Sequence, residues 1–177
     1  MQKHISIGTA SDVAKVIWPD FIEINGCVFA AFQCRGGEPQ ELSTGKTETE
    51  CFINHTHLFD EFRSRATVEN RIQHSNSLDV VQQMYDETHP DFIAACDLGL
   101  RMARMWACKL KFDFPKDRFR VYYTQYDNPI VRFHRVRKGE PDWLSDDVLL
   151  AASSPSFRNA VIYDTEYLER PAIKRTP

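Results

Sequence analysis

The residues of this 177-residue chain best suited to acid–base or anion-binding chemistry are Tyr123, Arg132 and His134, with Arg120 and Arg135 close by. A phenol, an imidazole and a guanidinium gathered on one surface could hold a carboxylate or phosphate and pass a proton to it. All five lie in the segment 116–138, which carries seven Lys or Arg, two acids and five aromatic residues. Cations beside rings are also what single-stranded RNA or DNA binders use, the cations for phosphates and the rings for bases. Ordinary half-buried strands carry the same mixture, with arginine stems lying over aromatic faces.

Other chemistry-bearing residues fit their supposed roles less well. Gly45-Lys46-Thr47 resembles the end of a phosphate-binding loop, but Gln40 stands where the first glycine belongs. Glu48 and Glu50 would also repel a phosphate at the start of the helix that follows. Thr47 and Glu50 read instead as a capping box. His55-Thr56-His57 has the spacing of a metal-ligand pair on a strand. On a helix the two rings point about 160° apart. The surrounding apolar period is helical, so His55 is expected on the buried stripe and His57 in solvent near Asp60 and Glu61. A metal site drawing on His57, Asp60, Glu61, His74 or His89 is not selected by any spacing. Of the five cysteines, Cys34 beside Arg35 is the best placed for a reactive thiol. Cys27, Cys96 and Cys108 read as packing residues. There is no Gly-x-Ser-x-Gly elbow and no His-Glu-x-x-His.

Several elements must position these residues. Ser11 can cap a helix ending near Trp18, before Pro19. Asn25-Gly26 joins strands at about 20–33 into a hairpin that pairs Ile24 with Cys27 and Ile22 with Phe29, leaving Glu23 and Val28 on the other face. The stripe Phe52, His55, Leu58, Phe59, Phe62 and Ala66 predicts a helix over 48–64, and Leu78, Val81 and Tyr85 predict another over 78–87. A third helix over 90–110 has one narrow charged stripe, Asp97, Arg101, Arg104 and Lys109, so it should be the buried central helix. Its ridge of Gly99, Ala103 and Ala107 would let another backbone approach.

Strands over 118–126 and 130–137 meet around Asp127-Asn128-Pro129. A two-residue loop pairs Tyr122 with Phe133, Tyr123 with Arg132 and Val121 with His134. Tyr123, Arg132 and His134 then share one face, with Arg120 and Arg135 opposite. That polar face must either meet solvent or line a cavity, unless Arg132 pairs with Asp146 or Asp147. A short helix over 146–152 and a strand over 160–163 complete the order. Strands cluster at both ends with helices between. This predicts an α+β fold whose antiparallel sheet, built from the two hairpins (about 20–33 and 118–137) and the late strand, packs on the central helix. The expected organisation is a single domain over 1–169 with a frayed tail over 170–177.

Composition sets the remaining bounds. Apolar residues make up 42% and charged residues 27%, enough for an ordinary core. No leader or membrane span is expected, and an odd cysteine count without a Cys-x-x-Cys pair argues for reduced thiols in a cytoplasm. The net charge of −3 hides a division: −8 over 1–100, +8 over 101–138 and −3 over 139–177. Mutual neutralisation by acids from 72–100 or 140–147 is the plainest account. The sequence therefore reads as a cytoplasmic binding or interaction module without a metal or cofactor. The alternative is a small enzyme or anionic-ligand-binding domain using the Tyr/Arg/His cluster, and the third reading is single-stranded nucleic-acid binding. The partners these readings imply are an anionic small molecule or a protein, then nucleic acid, and no membrane.

Overall fold

Asn25 and Gly26 both take positive φ, 53° and 78°, as the two-residue turn between two short strands requires. In the computed structural model those strands are β1 (Phe21–Ile24) and β2 (Cys27–Ala30), paired Ile24 to Cys27 and Ile22 to Phe29 as the turn predicts. The structure describes residues 5–34, 36–37, 39–40, 42–62, 67–73, 79–125, 128–144 and 160–168, and of 67–73 and 79–84 the backbone only. The sequence expectations for 146–152 and the 170–177 tail lie outside these residues.

The molecule is α+β, with antiparallel sheets and a long central helix. That helix, α4 (Pro90–Asp113), follows α1 (Ile7–Ile17), α2 (Lys46–Ile53) and the single turn α3 (Leu58–Glu61). A four-stranded sheet runs in the order β3 (Thr56–His57), β7 (Pro129–Arg135), β6 (Phe119–Gln125), β8 (Val161–Asp164). The first hairpin keeps its own two-stranded sheet, and β4 (Thr67–Gln73) pairs with β5 (Asp79–Tyr85) in another. None of the described helices is long and apolar enough to cross a membrane.

The central helix buries Phe92, Ala95, Gly99, Met102, Ala103, Trp106, Ala107 and Leu110, more than any other described helix. Its small-residue ridge lies on β6: a Cβ on Gly99 would come within 2.6 Å of the Tyr123 ring. Trp106 packs edge-on against Phe21, Phe32 and Phe133 and donates its indole N–H to the Val16 carbonyl. The two faces of the large sheet thus differ. Phe119, Val121, Tyr123, Val131 and Phe133 form the core against α4, while Tyr122 packs with Leu144 and Ile162 on the other side.

Several local expectations are corrected. The first helix starts at Ile7, because Ser6 rather than Ser11 accepts from the Thr9 N–H. The helix expected over 48–64 breaks at Asn54, whose side chain accepts from Ala30 N–H and donates to the Val28 carbonyl. Those bonds stitch α2 to β2, and the helix does not resume through His55, while Thr56 and His57 form strand. The segment expected as a helix over 78–87 is mostly strand β5, paired with β4. Val28 is fully buried on the face it shares with Glu23, opposite the apolar pairs, because α2 covers that face too. Cys108, read as a packing residue, is exposed, and Cys96 is only half-buried.

Candidate functional site

Gln125 pairs with Pro129, so three residues rather than two separate β6 and β7. The pairing shifts by one place, to Tyr122 with Arg132, Arg120 with His134 and Val121 with Phe133. A one-residue slip exchanges the faces. Tyr123 leaves the predicted cluster for the core against α4, and Arg120 joins Arg132 and His134 on the side away from the helix, with Tyr122 in Tyr123's place. Arg135 is on the core-side face, where its guanidinium lies over Phe114 and Phe119 at the rim. The cavity imagined between sheet and central helix is therefore filled by apolar side chains.

The polar face is a connected layer. Tyr122 and His134 are each 1% exposed, with the phenol oxygen 2.9 Å from Nε2. His134 Nδ1 lies 3.0 Å from the Arg135 carbonyl. A carbonyl can only accept, so Nδ1 carries the proton and Nε2 accepts from Tyr122. Burial lowers the His134 pKa and keeps the ring neutral, even though Asp142 stands 3.8 Å from Nε2. Arg120 bridges Asp142, at 2.9 Å, and Asp164, at 3.5 Å.

Arg132 is placed differently. It is half-buried, one Nη is 3.0 Å from His55 Nε2, and its guanidinium lies 5.1 Å from the Trp143 ring centre. Burial lowers its pKa, and among the described residues no carboxylate lies within ion-pair distance of it. The other hairpin arginines are all neutralised. Arg118 pairs with Asp164 and Glu166, Arg135 with Glu23 and Asp117, and Arg137 with Glu50 and Glu140. The neutralising acids include Glu140 and Asp142 from the predicted 140–147, but the rest come from neither predicted segment. Asp146 and Asp147, the acids expected for Arg132, lie outside the described residues.

His55 and His57 stand beside Arg132, and their placement corrects the buried-against-exposed expectation. Both are half-buried, with ring centres 4.3 Å apart, because the backbone there is extended rather than helical. Burial, the Arg132 charge and His57 together push the His55 pKa down to about 3. Among the described residues, no three His, Cys, Asp or Glu side chains are grouped to hold a metal ion. His89 caps α4, its Nδ1 accepting from the Asp91 N–H.

Sequence reasoning missed Glu50. It is no capping residue but a fully buried carboxylate that accepts from Val28 N–H, Arg135 N–H and both terminal nitrogens of Arg137, at 2.6–2.9 Å. Burial pushes its pKa up, but every group around it is a donor, so this geometry fits the ionised form. The available sign was Val28, an apolar residue on a hairpin face that would otherwise be wet. Thr47 gives both its N–H and hydroxyl to Glu140, so a carboxylate of the chain itself occupies the helix start that resembled a phosphate loop. Burial raises the thiol pKa of Cys34 and, far more, of Cys51, opposing the reactivity considered for Cys34. A shallow apolar groove of about 220 Å³ lies elsewhere, between α3 and the first turns of α4, lined by Leu58, Phe59, Phe62 and Leu98.

Compared with protein-family models, curated proteins and solved structures, the chain matches none.

Proposed function

We propose that this chain is a metal-free binding module that takes a small anion at Arg132. The observation that carries the reading is the contrast between Arg132 and its neighbours. Four hairpin arginines have carboxylate partners, whereas this half-buried one has a neutral imidazole and an indole face. Arginine keeps its proton even when buried. A desolvated cation with no counter-charge among the described residues is costly, and a bound carboxylate, sulfate or phosphoryl group would offset that cost with paired hydrogen bonds. Trp143, 37% exposed, supplies an apolar wall beside the guanidinium. The free state of all five cysteines supports placing the protein in the reducing cytoplasm.

The enzyme alternative is less well supported. The Tyr122–His134 pair, which could relay a proton, is sealed from solvent. Nucleic-acid binding is also disfavoured. Phe119, Tyr122, Tyr123 and Phe133 are buried and present no stacking platform, and most of the hairpin cations are already paired.

Calorimetric titration with sulfate tests the reading. Wild-type protein should bind and Arg132→Gln should not, while Arg120→Gln, altered in a cation that is already paired, should retain binding. Equal binding by wild type and Arg132→Gln would refute the site. Mixed single-stranded oligonucleotides should fail to bind even at low salt; binding that weakens steeply as salt rises would restore the nucleic-acid reading.

A further inference from the structure

Arg132 donates to His55 Nε2 at 3.0 Å, and that bond assigns the state of the imidazole. Nε2 must offer its lone pair, so its proton is on Nδ1 and the ring is neutral. Three conditions hold it there. The ring is partly desolvated, the guanidinium is in contact with it, and the His57 ring lies 4.3 Å away, centre to centre, at a tilt. The guanidinium's charge and its hydrogen bond to Nε2 both change when an anion arrives.

We propose that anion binding at Arg132 is coupled to protonation of His55, so that the site is selective for dianions and binds them more tightly as pH falls. The inference rests on the reading of Arg132 as an anion site. An anion seated on the guanidinium cancels the charge that held His55 neutral. It also replaces Arg132 as the partner of Nε2, presenting an acceptor where a donor had been. One proton from solvent then adds to Nε2, and the resulting N–H donates to the anion. The loaded site holds two cations, Arg132 and the His55 imidazolium, against two negative charges. A monocarboxylate would leave one of these cations unmatched. Sulfate and phosphoryl dianions match both.

Among the described residues, the other groups around the site are neutral or paired with each other. Cys51 on α2 and Tyr122 on β6 bear on Arg132, and burial keeps both protonated. His134 is held neutral by burial, and Asp142, which bears on Cys51 and Tyr122, is already paired with Arg120. Among the described residues, His57 is the one further titratable group acting on His55, so it needs its own control.

Sulfate is the probe, because it stays a dianion across the range in which histidine titrates, whereas phosphate does not. Any pH dependence then belongs to the protein. Titrations near pH 5.5 and about pH 7.5, in buffers of different ionisation enthalpy, should show sulfate binding roughly three- to tenfold tighter at the lower pH, with net proton uptake. His55→Gln should bind sulfate with nearly equal affinity at both, His57→Gln should keep the dependence, and acetate should bind wild type more weakly than sulfate. Proton uptake is read on the wild type alone, so a His55→Gln chain that failed to fold would leave the test intact. Sulfate binding without pH dependence, or a dependence that survives in folded His55→Gln, overturns the coupling and leaves the Arg132 site standing. No sulfate binding by wild type, or undiminished binding by Arg132→Gln, overturns both.

Discussion

Glu50 shows how far one side chain's role can depart from its sequence context. Beside Thr47 it has the spacing of a capping pair, yet its carboxylate is the shared acceptor for β2, β7 and Arg137. Removing it leaves the Val28 and Arg135 backbone donors without their acceptor and takes from Arg137 its nearest carboxylate, leaving that guanidinium the Gly26 carbonyl and the more distant Glu140. Glu50→Ala should therefore destabilise the fold by about 3–5 kcal/mol, read as a lower urea midpoint. Glu50→Gln, which keeps an acceptor oxygen but loses the charge, should cost less. No local pattern could reveal this, because the partners are brought together only by the assembled hairpins. The Arg132 site was legible in part. Arg132 and His134 do share a face as expected, but Arg120, expected opposite, joins them there, and Tyr122 takes the place of Tyr123. His55, which touches Arg132, was assigned to a helix and so was not associated with the cluster at all.

At the scale of elements, strong local signals succeeded and long-range ones were invisible. Asn25-Gly26 sets both the turn and the register of the first hairpin, because its positive φ angles leave little choice. The central helix was plain from its narrow charged stripe. The second hairpin was found but slipped by one place, since three loop residues rather than two precede β7. β5 was read as a helix because Leu78, Val81 and Tyr85 also fit a helical period. Its strand state depends on pairing with β4, which no window of sequence contains. The helix over 48–64 failed for a related reason, since Asn54 exchanges helical continuity for bonds to the first hairpin. Asn54→Ala should cost about 1–3 kcal/mol in thermal or urea unfolding, because it orphans a buried N–H and a carbonyl. Gly99→Ala should also destabilise by about 1–3 kcal/mol, because the new methyl group meets the enclosed Tyr123 ring rather than open space. An unchanged melting temperature would show that the ring can give way.

Across the whole molecule, the uneven charge becomes a set of ties. The basic hairpin draws its carboxylates from β1, α2, the loop before β6, the segment after β7 and the C-terminal strand region. Neutralisation was readable from composition, but most of the partners were not, because the acids come from segments far apart in sequence. A pH effect on stability follows from the histidines. His55 and His134 are both neutral in the fold with lowered pKa values, His55 near 3. In the unfolded chain each takes a proton at about pH 6.5, so the unfolded state binds more protons below that value. Stability should be flat above about pH 7 and should decline as the pH falls from about 6.5 toward 3. Melting temperatures across this range should show the decline, and His55→Gln should make it shallower.

The buried Glu50 clasp also bears on the order in which the chain assembles. Its donors lie 22, 85 and 87 residues away in sequence, so no early local structure can offer them together. Until β2, α2 and β7 have converged, the carboxylate is better solvated by water, and drying it sooner would raise the barrier. The clasp should therefore close on the native side of the transition state. Glu50→Ala would leave the refolding rate nearly unchanged and accelerate unfolding, a φ-value near zero in stopped-flow chevrons. On that account, the buried carboxylate does not guide the chain into its fold. It acts afterwards as a latch that slows the native protein's opening.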